Sequence, residues 1–215
     1  MSEPNTSATR LGAPPNVVFE PSAARSEHLP RLAPIESPRG LKLRFAYWGM
    51  RRWVGKVLTP AMVVSARVPE SLPITLSFLK FAAKGLTLDK RLWVLLGDLP
   101  SQINGCSFCQ DQARALSVRE NLRLEVKLDA LLSYRSSSLF DERERAALAY
   151  VEEVTRNKRV SDQVFENLRK HFSERQIVEI TLLNAIQNFT NLTNIPLGIE
   201  SDGCCALERA KTNRA

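Results

Sequence analysis

From Leu88 onward the chain is a succession of apolar residues spaced three and four apart, with no run that alternates apolar and polar residues as a strand would. Three segments also carry helix-start chemistry. In "LFDERERAALAYVEEVTRN", Asp141 can accept the free N–H groups of a first turn, and acidic residues follow it at the positive end of the helix dipole. In "SDQVFENLRKHF", Ser161 precedes Val164, Leu168 and Phe172 on one stripe. In "SERQIVEITLLNAIQNFTNL", Ser173 followed by Gln176 is the capping-box pattern. "RENLRLEVKLDALLSY" places Leu124, Leu128, Leu131 and Leu132 on a common stripe. The expected fold class is all-α.

Breakers divide this run. Pro60 is expected to end or kink the helix before it, and Gly85 to stop a helix over "ESLPITLSFLKFAAKGL". Gly97 and Pro100 predict a kink or break in "LDKRLWVLLGDLPSQINGC". That segment also echoes "SERQIVEITLLNAIQ" at an offset of 85: Asp89 meets Glu174, Leu92 meets Ile177, Leu95 meets Ile180 and Gln102 meets Gln187. The echo fits duplicated helical hairpins.

Charge is unevenly placed. The formal net charge is +7, and residues 37–69 hold seven cations (Arg39, Lys42, Arg44, Arg51, Arg52, Lys56 and Arg67) and no acid, so the rest of the chain sums to zero. We divide the chain into a disordered tail over 1–38, a basic amphipathic arm over 39–69, a helical domain over 70–203 and a C-terminal tail over 204–215. Trp48 and Trp53 among the cations would suit anionic lipid or nucleic acid. The preferred expectation is plainer: the arm packs its aromatics on the domain and leaves its charges in water. The polar, Pro-containing N-terminus does not read as a secretory signal, and no stretch approaches the ~18 apolar residues of a membrane span. A reducing cytoplasm is expected. "NFT" and "NLT" within 188–193 are read as chance matches to a glycosylation sequon.

Four cysteines are too few for a disulfide-stapled scaffold, and two of them form "NGCSFCQDQ". On a helix, Cys106, Cys109, Gln110 and Ala113 share a face within about 100° of arc, and Asp111 points elsewhere. Asn104-Gly105 suits a helix start, where free N–H groups and the dipole stabilise a thiolate. Spacing of three brings two sulfurs within reach of a reversible disulfide. A half zinc site and a pair of inert buried thiols are the alternatives. Cys204 and Cys205 are adjacent and lack a second CxxC spacing, so no metal is expected.

"SQINGCSFCQDQARAL" resembles the NGCxYC-type motif of the carboxymuconolactone decarboxylase and alkylhydroperoxidase D superfamily. "LFDERERAALAYVEEVTRNKRVSDQVFENLRKHFSERQIVEITLLNAIQNFTNLTNIPLGIESDG" resembles a long subgroup of it, the likeness running from about residue 70 to 203. The resemblance implies an alkylhydroperoxidase D-like helical fold with no cofactor, assembly as a homo-oligomer, and thiol peroxidase activity of peroxiredoxin type. The implied partners are a hydroperoxide substrate and a dithiol reductant. It makes Cys106 and Cys109 the catalytic pair. The intact pair argues against the lactone-decarboxylating branch.

Two relay positions are altered. The family's His, four residues after the second Cys, falls on Ala113, and its Glu, twelve before Cys106, falls on Val94. Phe108 stands where Tyr is frequent. His171 and Glu179 are the titratable residues that folding would have to bring in. Without a base for Cys109, Cys106 is expected to be the more acidic thiol, being nearer the helix start. A scaffold or redox sensor that has lost its relay is the alternative function.

Overall fold

The computed structural model describes residues 29–212, all of whose regular elements are helical. The helices are α1 (Leu41–Trp53), α2 (Ser71–Lys84), α3 (Lys90–Asn104), α4 (Ser107–Arg119), α5 (Glu125–Asp129), α6 (Glu142–Asn157), α7 (Asp162–Arg169), α8 (Glu174–Asn194) and α9 (Cys204–Thr212). A π-helical turn, Ala61–Ser65, joins α1 to α2, and a 3₁₀ turn, Leu131–Ser133, follows α5. The expected tail lies outside the described residues over 1–28. Its last part is built in: Arg31 N–H donates to Leu197 O at 2.8 Å and Ile35 N–H to Met62 O at 3.0 Å.

The helices begin where their caps stand. Asp141 accepts from Glu144 N at 2.7 Å, and Glu144 reaches back to Asp141 N at 3.1 Å. Ser173 and Gln176 close the same reciprocal pair, and Ser161 accepts from Val164 N. Asp89, paired with Arg91 N at 2.7 Å, opens α3. Helix α3 is central and lies against α4, α6 and α8. The echoed positions Leu92, Leu95, Ile177 and Ile180 all enter the main core, with Leu148, Val151 and Leu168.

Three expectations change. Helix α3 runs unbroken through Gly97 and Pro100. Leu92, Leu95, Leu96 and Leu99 stay on one buried stripe through the proline. Their packing outweighs the one backbone bond that proline forgoes. Leu132 is 62% exposed although Leu124, Leu128 and Leu131 are fully buried, because the helix tightens to 3₁₀ at Leu131 and turns the next side chain outward. The segment read as a C-terminal tail forms α9, which packs along α4. Its anchor is Asp111, whose carboxylate accepts Cys204 N at 2.7 Å and Cys205 N at 2.9 Å.

Asp98 is fully buried on α3, with Oδ2 held by Gln102 Nε2 at 2.8 Å and Oδ1 without a partner. Burial raises its pKa to about 6, against weaker lowering by Gln102 and Arg114. A raised carboxyl stabilises the fold fully below the unfolded value near 3.8 and loses that contribution as pH rises through about 6. The loss corresponds to ~3 kcal/mol. Asp98→Asn should abolish this slope, and urea melts of both proteins across pH 4–7 measure it. Parallel slopes in the two proteins would refute the assignment.

Candidate active site

The CxxC pair sits where α3 hands over to α4. Gly105 adopts φ 76°, a left-handed conformation that other residues adopt at a cost. Its N–H donates to Gln102 O, and Cys106 N–H donates to Ser101 O at 2.8 Å. This closure stops α3 and leaves Cys106 as the extended N-cap of α4. Cys106 therefore precedes the helix rather than lying on its wheel, while Cys109 lies in the first turn. The two stand close enough to form a disulfide, with a Cα–Cα distance of 5.4 Å, within the usual range for such a bond.

Both cysteines are buried, at 1% and 4% exposure, in a small apolar cluster with Val63, Phe108 and Ile199. Leu58, Val64 and Leu197 pack on its edge. Val63 belongs to the π-turn, so the basic arm supplies part of the wall over the cysteines. Asp202 fixes the arm there. It accepts Thr59 N at 2.8 Å and Thr59 Oγ1 at 2.7 Å, and pairs with Lys56 at 3.0 Å.

Among the described residues one side-chain donor reaches the sulfurs: Asn194 Nδ2 donates to Cys109 Sγ at 3.7 Å. Asn194 is the last residue of α8 and is buried. It ends a row of amides on that helix. Asn184 and Asn188 bond to Thr155, Asn188 accepts from Asn104 at 3.0 Å, and Gln187 donates to Ser101 Oγ at 2.9 Å and to Asn191 at 3.2 Å. Asn191 is fully buried. Asn188 and Asn191 are the two sequon asparagines, and both serve in this row. The recurrence of Asn at 184, 188, 191 and 194 follows one helix face and was the available signal.

The other expected residues are dispersed. Ala113 and Val94 pack with the main core, Val94 fully buried within it and Ala113 at its edge. Gln110 Nε2 donates to Ser101 O at 3.3 Å. Glu179 is buried but binds Thr87 N at 2.9 Å, Leu88 N at 3.2 Å and Arg175 Nε at 2.9 Å. Burial pushes its carboxyl up, but those donors outweigh burial and hold it below the ordinary value. It anchors the start of α3, whereas the cysteines lie beyond the other end, some ~20 Å along the axis. His171 precedes α8 and Asn194 ends it, a separation of about 30 Å by helical rise. Neither residue reaches the cysteines of its own chain. Cys204 is buried beside the Asp111 anchor, and burial raises its thiol pKa.

An all-helical body with a CxxC pair at this helix junction defines the class, and the chain belongs to the carboxymuconolactone decarboxylase and alkylhydroperoxidase D-like superfamily. No family model matches it. Its curated relative YnjA, an uncharacterized protein of Escherichia coli (strain K12), is 30% identical over 174 residues, 80% of this chain and 94% of YnjA. An Agrobacterium tumefaciens protein of unknown function, described as an AhpD antioxidant-defence candidate, is 29% identical over 65% of this chain and 96% of its own, with a TM-score of 0.60. The debrominase Bmp8 shares the fold at 20% identity over 84% of this chain and 95% of its own, with a TM-score of 0.67. Among the described residues no helix is long and apolar enough to cross a membrane.

Proposed function

We propose that the protein is a thiol peroxidase that reduces hydroperoxides with the Cys106–Cys109 pair. The observation that carries this reading is the pair's placement at the start of α4, 5.4 Å apart by Cα, with Asn194 donating to Cys109. Cys106 is the N-cap residue of α4 and stands nearest the positive end of the helix dipole, so its thiolate is assigned the attack on the peroxide. The O–O bond breaks, the alkoxide leaves as alcohol after taking a proton from water, and Cys106 becomes a sulfenic acid. Cys109 displaces its hydroxyl as water and forms the disulfide. A dithiol then reduces the disulfide by exchange, and Asn194 steadies Cys109 as a departing thiolate. Sulfur carries both electrons, so the cycle needs no cofactor. A reducing cytoplasm suits this resting chemistry.

Peroxide-dependent oxidation of dithiothreitol tests the reading. Cys106→Ser and Cys109→Ser should each fall to the rate of the double variant. Equal rates in the double variant and the wild type would overturn it. The pH dependence of alkylation in the two single variants assigns the attacking thiol. A lower titration for the thiol remaining in Cys106→Ser would give that role to Cys109.

A redox sensor or scaffold is the second reading. It is favoured by the non-titrating Val94 and Ala113 and by the apolar cover over both cysteines.

The proposed assembly is a homo-oligomer formed through α2 and the outer face of α8. None of the residues of α2 is buried. Ile74, Leu76 and Leu79 are exposed there, as are Leu182, Phe189 and Leu192 on α8. The two helices already touch through Phe78 and Phe189, with ring centroids 5.5 Å apart. Covering such a continuous apolar face favours self-association. Sedimentation should show a multiple of the 24.2 kDa chain, and a single-chain species at micromolar concentration would refute it.

A further inference from the structure

Helix α1 presents two unlike faces. Leu43 and Tyr47 are buried, and Met50 packs with them on the Val57–Ala61 cluster. On the opposite side, Leu41, Phe45 and Trp48 fall within about 60° of arc and are 80%, 70% and 58% exposed. The expectation that the arm buries its aromatics therefore holds for Tyr47 and fails for Phe45, Trp48 and the 81% exposed Trp53. The physical reason is the spacing. A helix that buries residues 43, 47 and 50 turns 41, 45 and 48 to solvent.

Lys42 borders the apolar stripe on one side and Arg44 and Arg51 on the other, and Arg52 continues its line at the end of the helix. Arg39, Lys42, Arg44, Arg51 and Arg52 are all exposed, and no acid occurs between residues 37 and 69. Arg44 and Arg51 also line a cleft of about 420 Å³ with Tyr47, Ser37, Pro38 and Glu36. An apolar ridge with cations on both flanks matches the interface of an anionic bilayer, where acyl chains receive the ridge and headgroup phosphates meet the cations.

We propose that α1 is a membrane-surface helix, seating Leu41, Phe45 and Trp48 in the interface of an anionic lipid bilayer. A second copy fits less well, because a two-fold contact through α1 would set the same five cations against each other. Nucleic acid also fits less well. Phe45 and Trp48 stack on each other with centroids 5.4 Å apart, so a base cannot insert between them and only one face of each ring is left for stacking.

The test is co-sedimentation of the full-length protein with phosphatidylcholine vesicles, with and without phosphatidylglycerol. Tryptophan emission is followed in parallel. Binding with a blue shift should appear with the anionic lipid and weaken as salt rises. Phe45→Ser/Trp48→Ser should weaken it at least about tenfold while circular dichroism is unchanged, since both side chains are exposed. Arg44→Glu/Arg51→Glu should weaken it comparably. Equal binding to neutral vesicles, no binding to either, or wild-type binding by the Phe45/Trp48 variant would overturn the proposal. A lower assembly mass in that variant would place a second copy on the stripe. Displacement of the protein from vesicles by polyuridylate would place RNA there. Either result also overturns it.

Discussion

Asp111→Ala should unlatch the C-terminal helix and expose the cysteines. Asp111 is a buried carboxylate on α4 that accepts the backbone N–H groups of Cys204 and Cys205, at 2.7 and 2.9 Å. Those donors start α9 and have no partner inside their own helix. Hydrogen bonds to a charged group contribute ~1.5–3 kcal/mol each, so removing the acceptor should cost ~3 kcal/mol or more. For a chain of this size that is a fall in Tm of roughly 6–12 °C. The loss should propagate. Asp202 and Lys211 hold the arm to the α9 region through Thr59, Lys56 and the carbonyls of Trp53 and Val54. The arm in turn carries Val63 onto the cysteines. Reduced Asp111→Ala should therefore alkylate at Cys106 and Cys109 faster than the wild type at a temperature where both are folded. Asp111→Asn, which keeps one acceptor oxygen, should fall between them. An unchanged Tm with unchanged alkylation rates would show that α9 is held by its apolar contacts alone.

Ala113→His should make Cys109 the attacking thiol in place of Cys106 and so raise peroxide turnover at neutral pH by ~10²-fold, the lower part of the range that general-base help supplies. Position 113 is four residues after Cys109 on α4, so a side chain there lies one turn along on the same face. An imidazole at that site would take the Cys109 proton and hold the thiolate as an ion pair. In the Cys106→Ser background the apparent pKa of Cys109 should fall. In the Cys109→Ser background Cys106 should change little. Ala113→Gln is the control, because it adds bulk at the edge of the main core without a base. An increase with Gln equal to that with His would mean that loosened packing, not proton transfer, limits the reaction. No increase with a folded His variant would mean that access past Val63 and Ile199 limits it instead.

Much of the molecule was determined by local chemistry. Asp141, Ser161 and Ser173 start their helices because capping needs only the cap and the next turn. The 3.6-residue spacing put Leu92, Leu95, Ile177 and Ile180 inside because an amphipathic face must be buried somewhere. The CxxC pair was legible for the same reason: its spacing and the Asn104-Gly105 turn act over a few residues. Tertiary structure decided what depends on distant partners. Pro100 stays within α3 because both flanks of the helix enter one core. Asp111 became a cap for a helix ninety residues away, and Asn194 reached Cys109 across 85 residues. Glu179 and His171 were possible proton carriers by type, yet helix lengths carry them away from the cysteines. The arm's aromatics were likewise ambiguous in sequence. An apolar stripe on each side of a helix does not say which side meets the body, and only docking of Leu43 and Tyr47 against Val57 and Ala61 left Phe45 and Trp48 in solvent.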